Sequence, residues 1–74
     1  MTTRSFTAVV QRDDTGWSAL CPELDVASQG DTVEEAKANL REAVELFLET
    51  ASAEEIEQRL KTEIFLSPLE VTVG

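Results

Sequence analysis

The 74-residue sequence contains no histidine and no tyrosine, and its only cysteine is Cys21. Histidine is the commonest general base in enzymes, so its absence removes the Ser–His and Cys–His catalytic pairs. One cysteine cannot form an internal disulfide, which favours a reducing compartment, and we expect a cytoplasmic protein. No Lys, Arg or His neighbours Cys21 in the sequence, so we predict a buried structural thiol and not a reactive one.

Basic residues are also scarce, since six Lys and Arg stand against fifteen Asp and Glu, a net charge of −9. Binding to phosphate groups needs clustered basic side chains, so we expect no direct contact with nucleic acid. An acidic surface suits a basic protein partner instead. The sequence shows no secretory signal and no apolar run of the roughly 20 residues that a membrane span needs, so we expect no membrane association.

Three glycines and one cysteine cannot build a phosphate-binding glycine loop, a dinucleotide fingerprint or a zinc site. The many carboxylates leave a Mg²⁺-dependent nuclease of the ribonuclease H type to be considered. Such a site needs carboxylates that converge from strand interiors, whereas Asp13 and Asp14 lie in a predicted turn and Asp31 at a helix start. We therefore expect no metal, no cofactor and no enzymatic activity, and a residual nuclease is an alternative that a cleavage assay would decide.

Three short strands are predicted in the first 30 residues. Their alternating or apolar stretches are residues 5–12, 17–21 and 24–29. Gly16 closes the turn between the first two strands and suits a left-handed conformation. Pro22 cannot donate to a β-ladder and ends the second strand, and the third strand stops at Gly30.

A long helix is predicted from about Thr32 to Thr50, because apolar residues recur at spacings of three and four. Thr32 and Glu35 form a capping box, in which the Thr32 hydroxyl accepts from the Glu35 amide and the Glu35 carboxylate reaches back to the Thr32 amide. Asp31 adds negative charge at the positive end of the helix dipole. A second capping box over residues 52–55 begins a shorter helix.

A last strand is predicted after Ser67-Pro68, where Leu69, Val71 and Val73 alternate with polar residues. We expect this apolar face to join the core. The predicted order is strand, strand, strand, long helix, short helix, strand (β-β-β-α-α-β). This order predicts an α+β fold, a single domain over residues 1–74 with its helices on one face of an antiparallel sheet.

The second face of this sheet also carries apolar residues. Val9 and Leu20 point away from the side on which Phe6 and Trp17 lie, so some apolar surface stays uncovered. Such a surface, or an unpaired edge strand, is a plausible contact for another chain. Scattered surface hydrophobes, which are normal in folded proteins, are the alternative explanation.

The long helix carries a second candidate surface. Glu42, Glu45 and Glu49 lie three and four residues apart on its outer face, near the end of the helix where carboxylates are unfavourable. A locally unfavourable choice often marks a functional surface. The alternative is a solvated helix face on which Arg41 reaches Glu45 and partly neutralises it.

Four stretches of the chain closely resemble the HicB-like family of antitoxins. They are Thr7–Val10, Gly16–Leu24, Ser28–Ala36 and Asn39–Phe47. The resemblance implies a partial, catalytically dead ribonuclease-H-like fold with an antiparallel sheet. It also implies an antitoxin that binds and neutralises a small basic HicA-like toxin, which cleaves mRNA. Within these stretches Gly16, Pro22, Gly30, Asp31, Thr32 and Glu35 are turn, cap and packing residues, so they identify the fold better than a working site.

Longer members of the HicB-like family continue into a ribbon-helix-helix or helix-turn-helix domain that binds operator DNA. Because this sequence stops at Gly74, directly after the predicted last strand, we expect a short, single-domain member without that domain. Two functions are then open: an antitoxin, or a solitary oligomeric domain with a structural or regulatory role and no cognate toxin. A homo-oligomer, dimer or tetramer, is expected in either case, because a domain this small buries little surface by itself.

Overall fold

The computed structural model describes residues 4–74, which form three strands followed by two helices. The elements are β1 (Val9–Arg12), β2 (Trp17–Cys21), β3 (Val26–Gly30), α1 (Val33–Thr50) and α2 (Ala53–Leu60). The α+β class and the order of the first five predicted elements are confirmed.

The strands form one antiparallel sheet in the order β1-β2-β3. In β2, Ala19 and Cys21 point to one face of the sheet and are buried. α1 lies on that face, across β2 and β3, and contributes the buried residues Ala36 and Leu40. Leu24, in the turn before β3, completes the core. The fold is therefore a two-layer structure with one sheet face covered by helix.

The turn between β1 and β2 is organised by Asp13. Its Oδ1 accepts hydrogen bonds from the amides of Thr15 and Gly16, at 2.9 and 2.8 Å. The predicted left-handed conformation of Gly16 is wrong, because none of the three glycines, all within residues 4–74, has a positive φ. A Cβ on Gly16 would instead lie 2.6 Å from the carbonyl oxygen of Gly30. Gly16 is therefore required by close packing and not by backbone conformation.

Gly30 serves the same purpose between β3 and α1. A Cβ at Gly30 would lie 2.6 Å from the backbone nitrogen of Ala36 and would push the first turns of α1 away from the sheet. Trp17 pairs with Gly30 across the sheet, so the two glycines bring β2, β3 and α1 together at one end. A residue with a side chain in place of Gly16 or Gly30 would force the neighbouring backbone to move.

Two strands are shorter than the sequence pattern predicts. β1 begins at Val9 and not at residue 5, because the amide of Thr7 donates to the Glu23 carboxylate and not to a neighbouring strand. β3 begins at Val26 and not at Leu24, because β2 ends just before Pro22 and the turn that follows carries Leu24 into the core. The turn ends at Asp25, whose φ of 54° is left-handed, a conformation that Asp tolerates better than most residues.

Both predicted helix starts are confirmed. The Thr32 hydroxyl accepts from the Glu35 amide at 3.0 Å, and the Ser52 hydroxyl accepts from the Glu55 amide at 3.1 Å. One detail is wrong: the Glu35 carboxylate accepts from the amide of Asp31, at 3.3 Å, and not from the amide of Thr32. The Glu35 side chain reaches one residue further back than predicted, so its hydrogen bond also holds the connection between β3 and α1 in place.

The predicted last strand is not formed. Residues 63–74 contain no helix or strand, and Leu69, Val71 and Val73 are 86%, 70% and 90% exposed. A strand forms only where a neighbouring strand takes its backbone hydrogen bonds. Within residues 4–74 no strand lies beside this segment, so its alternating pattern has no partner in the same copy.

Candidate functional site

The uncovered face of the sheet carries a small apolar row. Val9 in β1 pairs with Leu20 in β2, and Leu20 pairs with Ala27 in β3, so the three side chains lie side by side. Val9 and Leu20 are each 37% exposed. The next row, Gln11, Ser18 and Gln29, is polar. The predicted apolar surface exists at Val9 and Leu20. With Ala27 beside them it is a single row across the three strands, because the next row is polar.

The outer face of α1 is acidic, as predicted. Glu42, Glu45 and Glu49 are all exposed in the second half of the helix. The sequence reasoning missed Leu46, which lies one turn from Glu42 and from Glu49 and is 59% exposed. We call these four residues the acidic helix surface. A large apolar side chain among carboxylates gives this surface a contact that a purely solvated helix face would lack.

The expected contact between Arg41 and Glu45 is not formed. Among residues 4–74 the one ion pair joins Arg59 to Glu55, with 3.0 Å between nitrogen and oxygen. The three carboxylates of the acidic helix surface therefore have no cationic side chain against them within the described part of the chain. α1 also has no basic residue in its last turn to offset the negative end of its dipole.

The two candidate surfaces lie on opposite sides of the molecule. α1 covers the face of the sheet to which Ala19 and Cys21 point, and its glutamates face away from the sheet. Val9 and Leu20 face away from the helix. A compact partner seated on the acidic helix surface cannot also cover the apolar row. The two sets of residues are therefore two surfaces and not one site.

Six residues of the recognised stretches, by contrast, serve the fold. Gly16 and Gly30 permit close backbone packing, and Asp31, Thr32 and Glu35 form the start of α1. Pro22 follows the last residue of β2. None of the six contributes a side chain to the acidic helix surface or to the apolar row.

Glu23 is a second residue that the sequence reasoning missed. Its carboxylate accepts from the Thr7 amide, at 3.1 and 3.0 Å, and from the Thr7 hydroxyl, at 2.7 Å. Burial alone would raise the pKa of this carboxyl, but the bonds from the Thr7 hydroxyl, the backbone amides of Glu23 and Thr7, and the Cys21 thiol outweigh it. The pKa therefore lies below the usual 4.5. Glu23 attaches the segment before β1 to the β2–β3 turn, which is a structural role.

Cys21 is buried, as predicted. Burial raises the pKa of its thiol above the usual 9.0, and the nearby Glu23 carboxylate raises it further. The thiol lies 3.5 Å from Glu23 Oε1. A thiol in this environment stays protonated at neutral pH and is a poor nucleophile.

Among the described residues, 4–74, no group of three acidic or cysteine side chains lies close enough together to hold a metal ion. Neither helix in that part of the chain has the length and hydrophobicity needed to cross a lipid bilayer. The features that stand out on the surface are thus the acidic helix surface, the apolar row and the exposed residues after α2.

The sequence is similar to three known proteins. A UPF0150 protein of Helicobacter pylori (strain J99) is 37% identical over 65 residues, which cover 86% of this chain and 90% of the relative. A UPF0150 protein of Synechocystis sp. (strain PCC 6803) is 38% identical over 71 residues, covering 93% of this chain and 89% of the relative. A second one from the same organism is 46% identical over 46 residues, covering 60% and 64%. No family model and no solved structure matches the chain.

Proposed function

The chain belongs to the UPF0150 family, and from this premise we propose that it is a non-catalytic, cytoplasmic antitoxin-type protein. Its partner is a small basic toxin of the HicA-like kind, which cleaves mRNA and which this chain neutralises by binding. The resemblance of four stretches to the HicB-like antitoxins is one support. The observation that carries the proposal is the acidic helix surface, where Leu46 is exposed among Glu42, Glu45 and Glu49.

The chemistry of an mRNA-cleaving toxin explains why such a surface would neutralise it. A protein that binds RNA presents lysine and arginine side chains to the phosphates. Carboxylates three and four residues apart on a rigid helix can form ion pairs with the basic side chains that would otherwise contact the phosphates. Leu46 would supply the desolvated centre of the contact, with the glutamates as its charged rim. Opposite net charges would also speed the encounter of the two proteins.

The proposal assigns the toxin to the acidic helix surface and not to Val9 and Leu20. The reason is geometric, since the apolar row lies on the other side of the sheet. A small toxin can contact only one of these two sides. The side that carries three carboxylates without cationic neighbours in the described chain is the one that complements a basic protein.

Binding of a HicA-like toxin to a charge-neutralised variant tests this proposal. The variant Glu42→Gln/Glu45→Gln/Glu49→Gln keeps the shape and helix propensity of α1 and removes three charges. We expect its dissociation constant for the toxin, measured by isothermal titration calorimetry at low salt, to rise by about 10–100-fold. Inhibition of mRNA cleavage should weaken in parallel.

A matched control carries Asp14→Asn, Asp25→Asn and Glu57→Gln. It loses the same three charges at exposed positions away from the acidic helix surface, and Asn tolerates the left-handed conformation of Asp25. The control should bind within about threefold of the unmodified protein, because only distant charge is changed. Equal weakening of both variants, or no complex at low salt with any HicA-like toxin, would refute the proposal.

The proposal includes the absence of catalysis. A residual nuclease would need a divalent metal held by several carboxylates. RNA incubated with the purified protein and Mg²⁺ should stay intact over hours, and Mg²⁺-dependent cleavage that survives repeated purification would exclude a purely binding role.

A solitary oligomeric domain with a structural or regulatory role and no toxin is the second candidate. The exposed apolar residues after α2 favour it, because they provide an interaction that needs no second protein. The gene neighbourhood distinguishes the two candidates. An adjacent gene for a small basic protein supports the antitoxin, whereas a lone gene supports the second candidate; a stable homo-oligomer is expected in both cases and does not distinguish them.

A further inference from the structure

The residues after α2 have the sequence pattern of a strand, and no strand within residues 4–74 pairs with them. Leu69, Val71 and Val73 alternate with Glu70 and Thr72, which is the pattern of a strand with one buried face. All three apolar side chains are exposed, as are those of Ile64, Phe65 and Leu66 closer to α2. Six large apolar side chains exposed within residues 64–73 are the kind of surface that another chain would cover.

The sheet has an open edge at β1. The amide of Asp13 donates to Gly16 at 2.9 Å, which sets the alternation of bonded pairs along the hairpin. From this alternation, Val9 and Gln11 bond to β2, whereas the backbone groups of Val10 and Arg12 point outward. α1 lies mainly over β2 and β3, so this outward row is not covered by the helix.

The opposite edge, at β3, is already partly occupied. The same alternation leaves the backbone groups of Ala27 and Gln29 pointing outward from β3. The carbonyl of Gln29 accepts a hydrogen bond of 2.8 Å from the Asn39 side chain on α1. An added strand would have to displace that bond, so β1 is the edge that accepts a strand at lower cost.

Charge also selects the β1 edge. Residues 4–12 contain Arg4 and Arg12 and no acidic residue, in a chain whose net charge is −9. Residues 63–74 contain Glu63 and Glu70 and no basic residue. β3 has no charged residue and is flanked by Asp25 and Asp31. Strand addition at β1 thus brings opposite charges together, whereas addition at β3 brings like charges together.

The residues just before the segment, Ser67 and Pro68, limit how the chain can turn. Pro68 restricts Ser67 to an extended conformation, which disfavours a tight return of the chain. The Cα radius of gyration is 14.4 Å, whereas about 11 Å is expected for a compact domain of this length. The segment therefore stands off the body and is available to another molecule.

We propose that residues 69–73 of one copy add as a strand to the β1 edge of a second copy, and that the second copy reciprocates. The product is a strand-exchanged homodimer in which each sheet has four strands. Six apolar side chains from each copy would bury on the order of 1,000–2,000 Å² in total, the size of a stable interface. This exchange does not depend on toxin binding, because it leaves the acidic helix surface free.

Proline substitutions in the segment test the exchange. Along a strand, alternate amides bond to the neighbour, so one of Val71→Pro and Thr72→Pro removes a bonding amide in any register. Two such bonds are lost per dimer, one in each copy. We expect one of these variants to raise the dimer dissociation constant by about 10–100-fold, measured by analytical ultracentrifugation. The control variants Val71→Thr and Thr72→Ala keep both amides. The dimer dissociation constant of Thr72→Ala should stay within about threefold of that of the unmodified chain.

Hydrogen exchange identifies the edge. On dimerisation the amides of Val10 and Arg12 should become protected, while that of Ala27 should not change. Three results would overturn the proposal: a chain that stays monomeric at millimolar concentration, a dimer that neither proline weakens, or protection of Ala27 in place of Val10 and Arg12. A monomer in which residues 69–73 are protected would show that the segment pairs within its own copy, and this also overturns it.

Discussion

One carboxylate, Glu23, determines where the first strand begins. It takes three hydrogen bonds from Thr7, so the chain before β1 is attached to the β2–β3 turn and not to a strand. Bonds to a charged acceptor are stronger than bonds between neutral groups. A residue that looks like one of many surface acids in the sequence is thus a specific link between two distant segments.

The Glu23 link should make stability depend on pH in a defined window. The pKa of Glu23 is lowered in the fold, so its contribution is fully present above the usual value of 4.5 and is lost as the pH falls through the lower, folded-state pKa. Glu23→Gln should cost about 1–2 kcal/mol at pH 7, after allowance for partial exposure. The cost should shrink below pH 4.5.

Urea unfolding at several pH values measures this. Glu57→Gln is the control, because Glu57 is exposed and no hydrogen bond of its side chain is found within residues 4–74. If the difference between Glu23→Gln and the unmodified protein were the same at pH 3 and pH 7, the carboxylate would not be the stabilising species.

Among the elements, α2 is attached to the rest of the fold largely through Arg59, together with the partly buried Leu60. The Arg59 guanidinium donates to the carbonyl of Leu24, pairs with Glu55 at 3.0 Å and lies 4.6 Å from the centre of the Phe47 ring. It therefore joins α2 to the β2–β3 turn and to α1. α2 has no fully buried residue, and the partly buried Leu60 packs against the core, so Arg59 adds polar contacts to a small apolar one.

Arg59→Met should loosen α2 while leaving the sheet and α1 folded. Met keeps most of the apolar stem and removes the charged contacts, for an expected loss of about 1–3 kcal/mol. Amide hydrogen exchange should become faster in residues 53–60 and stay unchanged in α1. Arg41→Met, at an exposed arginine without an ion pair in residues 4–74, is the control and should change neither.

Elements differ in how well the sequence predicts them. Both helix starts were predicted to the residue, because a capping box depends on side chains three residues apart. The left-handed conformation assigned to Gly16 was wrong, because the reason for that glycine is a carbonyl fourteen residues away. The last strand was also wrong, because strand formation needs a neighbour that the pattern of one segment does not reveal.

At the scale of the whole molecule, the acidic helix surface and the apolar row lie on opposite sides of the two-layer fold. The acidic helix surface is negatively charged, whereas the exposed segment after α2 is mainly apolar. Under the two proposals, the homodimer would form through the segment after α2 and the β1 edge, while a toxin would bind the acidic helix surface. Glu42, Glu45 and Glu49 therefore cannot share one contact on a compact partner with Val9 and Leu20.

Salt should separate the two interactions. Raising the ionic strength from about 0.05 to about 0.5 M shortens the Debye length severalfold, so the association rate constant for a basic toxin should fall by at least about tenfold. The dimer dissociation constant should change by clearly less than tenfold, because its contact is mainly apolar, apolar burial is not screened, and only the pairing of Arg4 and Arg12 with Glu63 and Glu70 is weakened. Stopped-flow fluorescence of Trp17 and sedimentation would measure the two; a toxin association rate independent of salt would contradict an electrostatic docking surface.

The sequence by itself determined what depends on near neighbours: the helix starts, the second strand, the acidic face of α1 and the apolar residues Val9 and Leu20. Each follows from residues within about one helical turn or one strand pair, where the chain geometry is almost the same in every protein. The tertiary structure alone decided the link from Glu23 to Thr7, the exposure of Leu46 and the separation of the two surfaces. Those depend on how distant segments pack against each other, and a local pattern does not specify that.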